Sequence, residues 1–176
     1  MTLFYLIRHG EPDWQINENY RLKGHGRDLA PLTARGIRQV YETSKDQRLR
    51  QAELIITSPY TRAMQTSAIL SKELSLDIAV EFDLREWQPD LTFEYDTLER
   101  LNELVQDYER CGGVYPPGET RIWESKPMLK SRVDSVLRRY AQHEVVIVVG
   151  HGMAFRTQVN REDIPCASIT EYEIGK

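Results

Sequence analysis

The sequence predicts an α/β fold: a three-layer α/β/α arrangement with a mainly parallel central sheet and an antiparallel strand at one edge. Three observations predict it. Leu3-Phe4-Tyr5-Leu6-Ile7 and Val145-Val146-Ile147-Val148-Val149 are unbroken apolar runs rich in branched residues, the pattern of strands buried on both faces. Helical periodicities fill most of the gaps between strand-like runs, and such alternation builds parallel sheets. Near the end, Ile169, Glu171 and Glu173 alternate with Ser168, Thr170, Tyr172 and Ile174. That polar, period-two pattern suits an antiparallel edge strand.

The elements follow in order. Strands are expected at Leu3 to Ile7, Leu54 to Thr57, Asp77 to Phe82, Glu144 to Val149 and Ser168 to Ile174. Thr33 can cap a helix reaching about Leu49 through Arg35, Val40 and Tyr41. Ser58 is placed to cap the next helix with Pro59 at its first position, where a missing N–H is harmless. That helix extends to about Leu74, with Met64, Ala68, Ile69 and Leu70 on its inner side. Thr97 can cap a helix through Leu98, Leu101, Leu104 and Val105. A further helix carries Met128, Leu129, Val133, Val136, Leu137 and Tyr140 at three- and four-residue spacings. Three stretches read as loops: Pro12 to Pro31, Glu86 to Thr97, and the breaker-rich Gly112 to Gly118.

The 176 residues suffice for one domain with a sizeable core, and no linker divides them. A net charge of -4 carries no global basic footprint, so nucleic acid is not an expected partner. No run approaches the roughly 20 apolar residues of a membrane span. The apolar stretch at the N-terminus is too short for a signal segment, so a cytoplasmic protein is expected. Cys111 and Cys166 form neither a disulfide framework nor a metal spacing. The four histidines lack zinc-site spacing, and no glycine-rich nucleotide loop is present, so neither a metal site nor nucleotide binding of those classes is expected. The sequence says nothing about oligomeric state.

Chemistry concentrates at strand ends, where open α/β sheets bind ligands. The first strand delivers Arg8 and His9. The second leads to Arg62 in the first turn of a helix. The third is followed by Glu86, and the fourth delivers His151. These are the parts that phosphoryl transfer through histidine requires. A neutral imidazole, with an ordinary pKa near 6.5, is a nucleophile at neutral pH. Two guanidiniums can hold and neutralise the transferring group in planar, forked contacts. A carboxyl group can protonate the leaving alcohol and later take a proton from water. His25 and His143 are expected to face solvent without a catalytic role, and Glu11 to pair with a loop residue.

At these positions the chain resembles the histidine phosphatase superfamily, the phosphoglycerate-mutase-like proteins. The matching stretches are Leu6-Ile7-Arg8-His9-Gly10-Glu11, Pro31-Leu32-Thr33-Ala34-Arg35-Gly36, Ser58-Pro59-Tyr60-Thr61-Arg62-Ala63-Met64-Gln65-Thr66 and Gly150-His151-Gly152. They occur in the family's order across nearly the whole chain. The resemblance implies that His9 is the phosphorylated nucleophile and that Arg8, Arg62 and His151 form the phosphate pocket. It makes Glu86 the proton donor and acceptor, with no metal or organic cofactor. Gln15, Asn17, Arg21, Lys23 and Gly24 stand where the family's first loop meets substrate, and are candidate substrate contacts.

The expected activity is metal-independent hydrolysis of a small phosphomonoester through phospho-His9. A phosphoglycerate mutase would use the same five residues, but family mutases carry extra enclosing segments and a longer tail. The short chain is therefore expected to leave an open site that favours water. A catalytically silent phospho-ligand-binding module is the remaining alternative; an ordered nucleophile and acid speak against it. Trp87, Phe93, Tyr95 and Tyr115 suggest an apolar or ring-bearing leaving group.

Overall fold

The computed structural model describes residues 1–95 and 97–175. Five strands among them form one sheet: β1 (Thr2–Arg8), β2 (Leu54–Thr57), β3 (Ile78–Val80), β4 (Val145–Gly150) and β5 (Ile169–Ile174), in the order β3-β2-β4-β1-β5. The first four run parallel, and β5 lies antiparallel against β1. The helices are α1 (Gln15–Asn19), α2 (Ala34–Thr43), α3 (Thr61–Leu74), α4 (Leu98–Arg110), α5 (Lys126–Arg139) and α6 (Gly152–Arg156).

The unbroken apolar runs become strands covered on both sides, because successive side chains leave a strand on opposite faces. Phe4, Leu6, Val146 and Val148 pack with Leu129, Val133 and Leu137 of α5 and Leu104 of α4. Tyr5, Ile7, Ile147 and Val149 pack with Val40 of α2 and Ala63 and Leu70 of α3. Burying each of the larger side chains contributes about 1.5–3 kcal/mol. A charge placed on either face of β1 or β4 would therefore break the layers. The antiparallel edge is where its alternating pattern put it, pairing Leu6 with Thr170 and Phe4 with Tyr172.

Several local expectations are corrected. The helix capped by Thr33 ends at Thr43 instead of continuing to Leu49. Asp46 takes the Arg48 N–H at 3.0 Å and starts a separate 3-10 turn, Gln47–Gln51. Ser58 and Pro59 lie outside α3, whose N-cap is Tyr60; the Ser58 hydroxyl accepts the Tyr60 N–H at 3.3 Å just before the helix. The inner side of α3 is Ala63, Thr66, Ser67 and Leu70, while Ala68 is exposed. Polar Thr66 is buried there because its hydroxyl serves the loop after β1, accepting the Gly10 N–H at 3.1 Å. Met128 is exposed on the outer side of α5. The third strand shrinks to Ile78–Val80, and short edge strands leave little unpaired backbone for a foreign strand to join.

Candidate active site

The parallel register puts three chain exits at one level. His9 donates its N–H to the Gly150 carbonyl at 3.0 Å, and Ser58 donates its own to Val149 at 3.0 Å. His9, Ser58 and His151 thus leave the sheet side by side at the carboxyl ends of β1, β2 and β4. Gly10 lets the chain turn sharply beyond His9: a Cβ there would lie 2.6 Å from the Gly36 carbonyl of α2.

His9 is almost wholly buried. Its Nδ1 lies 2.7 Å from the Gly10 carbonyl, so Nδ1 carries the hydrogen and Nε2 keeps its lone pair. Arg62 Nε donates to that lone pair at 3.3 Å, which agrees with the same tautomer. Burial, then the Arg62 charge, holds the imidazole pKa down to about 3, with Arg8 adding to the effect. His9 is consequently neutral at physiological pH.

Arg62 sits in the first turn of α3, where the Ser58-Pro59 turn aims it back toward β1. Its guanidinium lies 5.1 Å from the ring centres of both Trp14 and Tyr60. Its Nη1 is 3.3 Å from the Asp28 carboxylate, whose pKa is raised chiefly by burial against the lowering pull of Arg62. Gln65 and Thr66 of the same stretch are structural. Gln65 accepts the Leu32 N–H at 2.6 Å, and Thr66 also donates to the Arg62 carbonyl at 2.8 Å.

His151 is fully buried, its ring centre 5.2 Å from that of His9. Its Nε2 lies 2.7 Å from Ser58 Oγ, which also accepts the Tyr60 N–H at 3.3 Å. Burial and the neighbouring Arg62 hold His151 well below its ordinary pKa. Its Nδ1 and the Nε of Arg8 are buried without hydrogen-bond partners. Arg8 is anchored through Nη1 to the Ile164 carbonyl at 2.7 Å.

Glu86 stands in an irregular segment beyond β3. One carboxylate oxygen accepts the N–H groups of Trp87 at 2.8 Å and Ala154 at 3.0 Å; the other accepts that of Met153 at 3.2 Å. The segment is held by a buried ion pair. Arg132 donates to both oxygens of Glu124 at 2.6 and 2.8 Å. The same guanidinium binds the carbonyls of Asp83, Arg85 and Glu86 at 2.7, 2.7 and 3.0 Å.

A cavity of about 450 Å³ opens beside Arg62 and Glu86. Trp14, Glu18, His25, Arg27 and Asp28 line it from the first loop, and Trp87, Phe93 and Tyr95 from the segment after Glu86. None of Gln15, Asn17, Arg21, Lys23 and Gly24 does. Trp14 and Glu18 are four residues apart, one face of a helix, so Gln15 and Asn17 point elsewhere. Asn17 is buried and donates to the Arg27 carbonyl at 3.2 Å, while Gln15, Arg21 and Lys23 are exposed. Gly24, at φ +49°, binds the Tyr95 carbonyl through its N–H at 3.0 Å and joins the two loops. His25 is exposed, as expected, and also lines the cavity with its ring 4.1 Å from that of Phe93. Glu11 pairs with Arg35 at 2.9 Å and accepts from Thr33 at 3.0 Å, as a loop anchor. Among the described residues no cluster of His, Cys, Asp and Glu has the arrangement of a metal site, and no helix is long and apolar enough to cross a membrane.

Asp28, Ser58, Glu124 and Arg132 are the contributors that motif reasoning misses. For Arg132 a signal was present. Leu129, Arg132, Val133 and Val136 share one helical stripe, and a guanidinium on an apolar stripe demands a buried partner.

Comparison with known proteins gives this arrangement a family. The model of the histidine phosphatase superfamily, branch 1, matches residues 4–173. The chain is 33% identical over 156 residues to the uncharacterized phosphatase PhoE of Bacillus subtilis (strain 168), covering 88% of this chain and 74% of that protein. It is 26% identical over 160 residues to the probable phosphoglycerate mutase GpmB of Proteus mirabilis (strain HI4320), covering 88% and 71%. Among solved structures, Bacillus stearothermophilus YhfR shares the fold with a TM-score of 0.75 at 22% identity, over 99% of this chain and 92% of that one. The chain belongs to the histidine phosphatase superfamily.

Proposed function

We propose that this protein hydrolyses small phosphomonoesters through a phosphohistidine on His9, without a metal ion. The observation that carries the proposal is the state of His9: neutral, its Nδ1–H committed to Gly10 and its Nε2 lone pair directed to Arg62. Such a ring is preorganised as a nucleophile and needs no base to activate it. The buried, unpartnered Arg8 Nε and His151 Nδ1 beside it are groups that phosphoryl oxygens can satisfy.

In this mechanism the incoming phosphate takes over the Arg62 fork from His9 Nε2 and Asp28. Nε2 forms a bond to phosphorus as the P–O bond to the alcohol breaks. Glu86, on the cavity wall, supplies the proton that the leaving oxygen takes up. Water then enters, gives its proton to the Glu86 carboxylate and attacks phosphorus, and the P–N bond breaks to restore neutral His9. Arg8, Arg62 and His151 hold the equatorial oxygens throughout, where fixed donors contribute most to lowering the barrier.

The test is brief exposure to a labelled phosphomonoester followed by quenching. Acid-labile, base-stable label at His9 is expected, and His9→Ala is expected to lose at least roughly 10³-fold in turnover. Full activity in His9→Ala would sink the mechanism. Phosphate transfer from 2,3-bisphosphoglycerate to a monophosphoglycerate that outpaces hydrolysis would replace it with a mutase. Inactivity across a broad ester panel with no label would leave a phospho-ligand-binding module.

A further inference from the structure

We infer, resting on the phosphatase reading, that the cavity beside Arg62 is a leaving-group subsite for uncharged, ring-bearing alcohols. The favoured substrates are then aromatic or similarly apolar phosphomonoesters, not phosphorylated sugars or phosphorylated acids. Three properties of the wall point there.

The first is its chemistry. Beyond Arg62 and Glu86, most of the lining side chains are aromatic or aliphatic, among them Tyr60, Trp87, Phe93, Tyr95, Leu98 and Leu101. A volume of about 450 Å³ falls within the ~300–1,000 Å³ range of pockets that enclose a small molecule. It therefore has room for a ring in addition to the phosphoryl group.

The second is its charge. Among the described residues, the lining charges left after Arg62 and Glu86 are Glu18, Arg27 and Asp28. Arg27 lies 3.8 Å from Glu18, and Asp28 is 3.3 Å from Arg62. A carboxylate or second phosphate on the leaving group would meet two carboxylates and a cation that already has a counter-ion. A sugar hydroxyl would have to compete for partners already in use, since Asp28 accepts from Arg62 and Glu18 faces Arg27. The amide nitrogen of Gln88, which also lines the cavity, is spent on Tyr60 Oη and the Glu86 carbonyl, each at 2.8 Å. A site that rewards a sugar hydroxyl must offer it partners.

The third is exposure and strain at the mouth. Phe93 and Leu98 are 38% and 45% exposed although both line the cavity. Phe93 holds φ +62°, a conformation disfavoured for a bulky residue. Strain of this kind gathers at ligand clamps. Here the Phe93 ring lies against that of His25, with 4.1 Å between the ring centres.

Ethyl phosphate and 2-phenylethyl phosphate are both esters of primary alcohols, so they differ chiefly in the ring offered to the subsite. The full-length protein is expected to turn over 2-phenylethyl phosphate with kcat/KM higher by on the order of tenfold or more. Glucose 6-phosphate and 3-phosphoglycerate are expected to fall at or below ethyl phosphate. Leu98→Asp places a carboxylate in the first turn of α4, where the helix tolerates it. It should pull the phenylethyl-to-ethyl ratio toward one. Equal kcat/KM for the two alkyl esters, or a preference for glucose 6-phosphate or 3-phosphoglycerate, overturns the inference while leaving hydrolysis intact. A binding measurement separates the two readings when nothing turns over. With 3-phenylpropylphosphonate and propylphosphonate as unreactive probes, read by the fluorescence of Trp14 and Trp87, the phenyl compound is expected to bind at least roughly tenfold tighter. Equal affinities refute the subsite. Tighter phenyl binding without label on His9 keeps the subsite and removes the hydrolytic reading.

Discussion

The phosphate end and the leaving-group end of the site are built by different means. His9, Ser58 and His151 are fixed by the sheet: each follows directly on a strand whose register is set by core packing on both faces. Glu86 and the aromatic side chains after it hang on irregular chain, where Arg132, paired with Glu124, binds the backbone up to Glu86 and Gly24 binds the Tyr95 carbonyl. The first construction allows little movement. The second has one buried electrostatic anchor, and on the inference above it is the part that sets which alcohol leaves.

The largest separation of the two ends is expected from Glu86→Gln. On the proposed mechanism it removes a proton donor while the phosphate pocket persists. Alkyl esters should slow by roughly 10²–10⁴-fold, and activated aryl esters, whose oxygens leave without help, by far less. Steady-state rates across esters of graded leaving-group pKa check this. Equal losses throughout would assign Glu86 to structure. Asp28→Asn is the control, because Asp28 is the other carboxylate near Arg62; if it shows the graded loss instead, the acid has been misassigned.

Next comes the anchor. Arg132→Met leaves the Glu124 carboxylate buried and three loop carbonyls without their donor. Breaking such a pair costs about 3–5 kcal/mol, measurable by urea unfolding. Adding Glu124→Gln should recover part of the loss, as coupled neighbours do. If Arg132→Met instead unfolds at the parental midpoint, the segment of Glu86 is held by something else.

At the phosphate end, Arg62→Lys keeps a positive charge but loses the fork that meets His9 and Asp28 together. Losing one charge-assisted hydrogen bond, about 1.5–3 kcal/mol, corresponds to roughly 10- to 100-fold in kcat/KM. The fall should be similar for alkyl and aryl esters, in contrast to Glu86→Gln. A leaving-group dependence would place Arg62 on the wrong side of the comparison.

The same division explains what was legible in the sequence. Unbroken apolar runs, one period-two stretch and period-3.6 patterns gave the sheet, its antiparallel edge and both helix layers, because burial on two faces leaves its mark on every residue of β1 and β4. The exits of His9 and His151 followed from strand ends alone. Contacts made by irregular chain left no periodic mark. Trp14 and Glu18, not Gln15 and Asn17, turn to the cavity because a five-residue helix sets their phase, and so short a helix is invisible as a pattern. Ser58 looked like a cap since serine before Pro is a common helix start; only the proximity of β2 to β4 reveals its bond to His151. Asp28 reaches Arg62 across 34 residues, a pairing that no local rule anticipates.

The smallest expected effect concerns pH. In the folded protein His9 titrates at about 3, against an ordinary 6.5 in the unfolded chain. Between those values only the unfolded state takes up the proton. The stabilisation is therefore complete above pH 6.5 and is lost as pH falls through that value toward 3. At pH 5.5 the loss is about 1.4 kcal/mol relative to pH 7.5. It is the same for any folded pKa well below 5.5, so it tests neutrality rather than an exact value. His9→Asn should remove this increment, seen as a flatter dependence of urea-unfolding free energy on pH between 7.5 and 5.5. Identical slopes in parent and variant would mean that His9 takes up a proton in the fold as readily as in the unfolded chain. A nucleophile held neutral by burial and by the Arg62 charge would then be untenable.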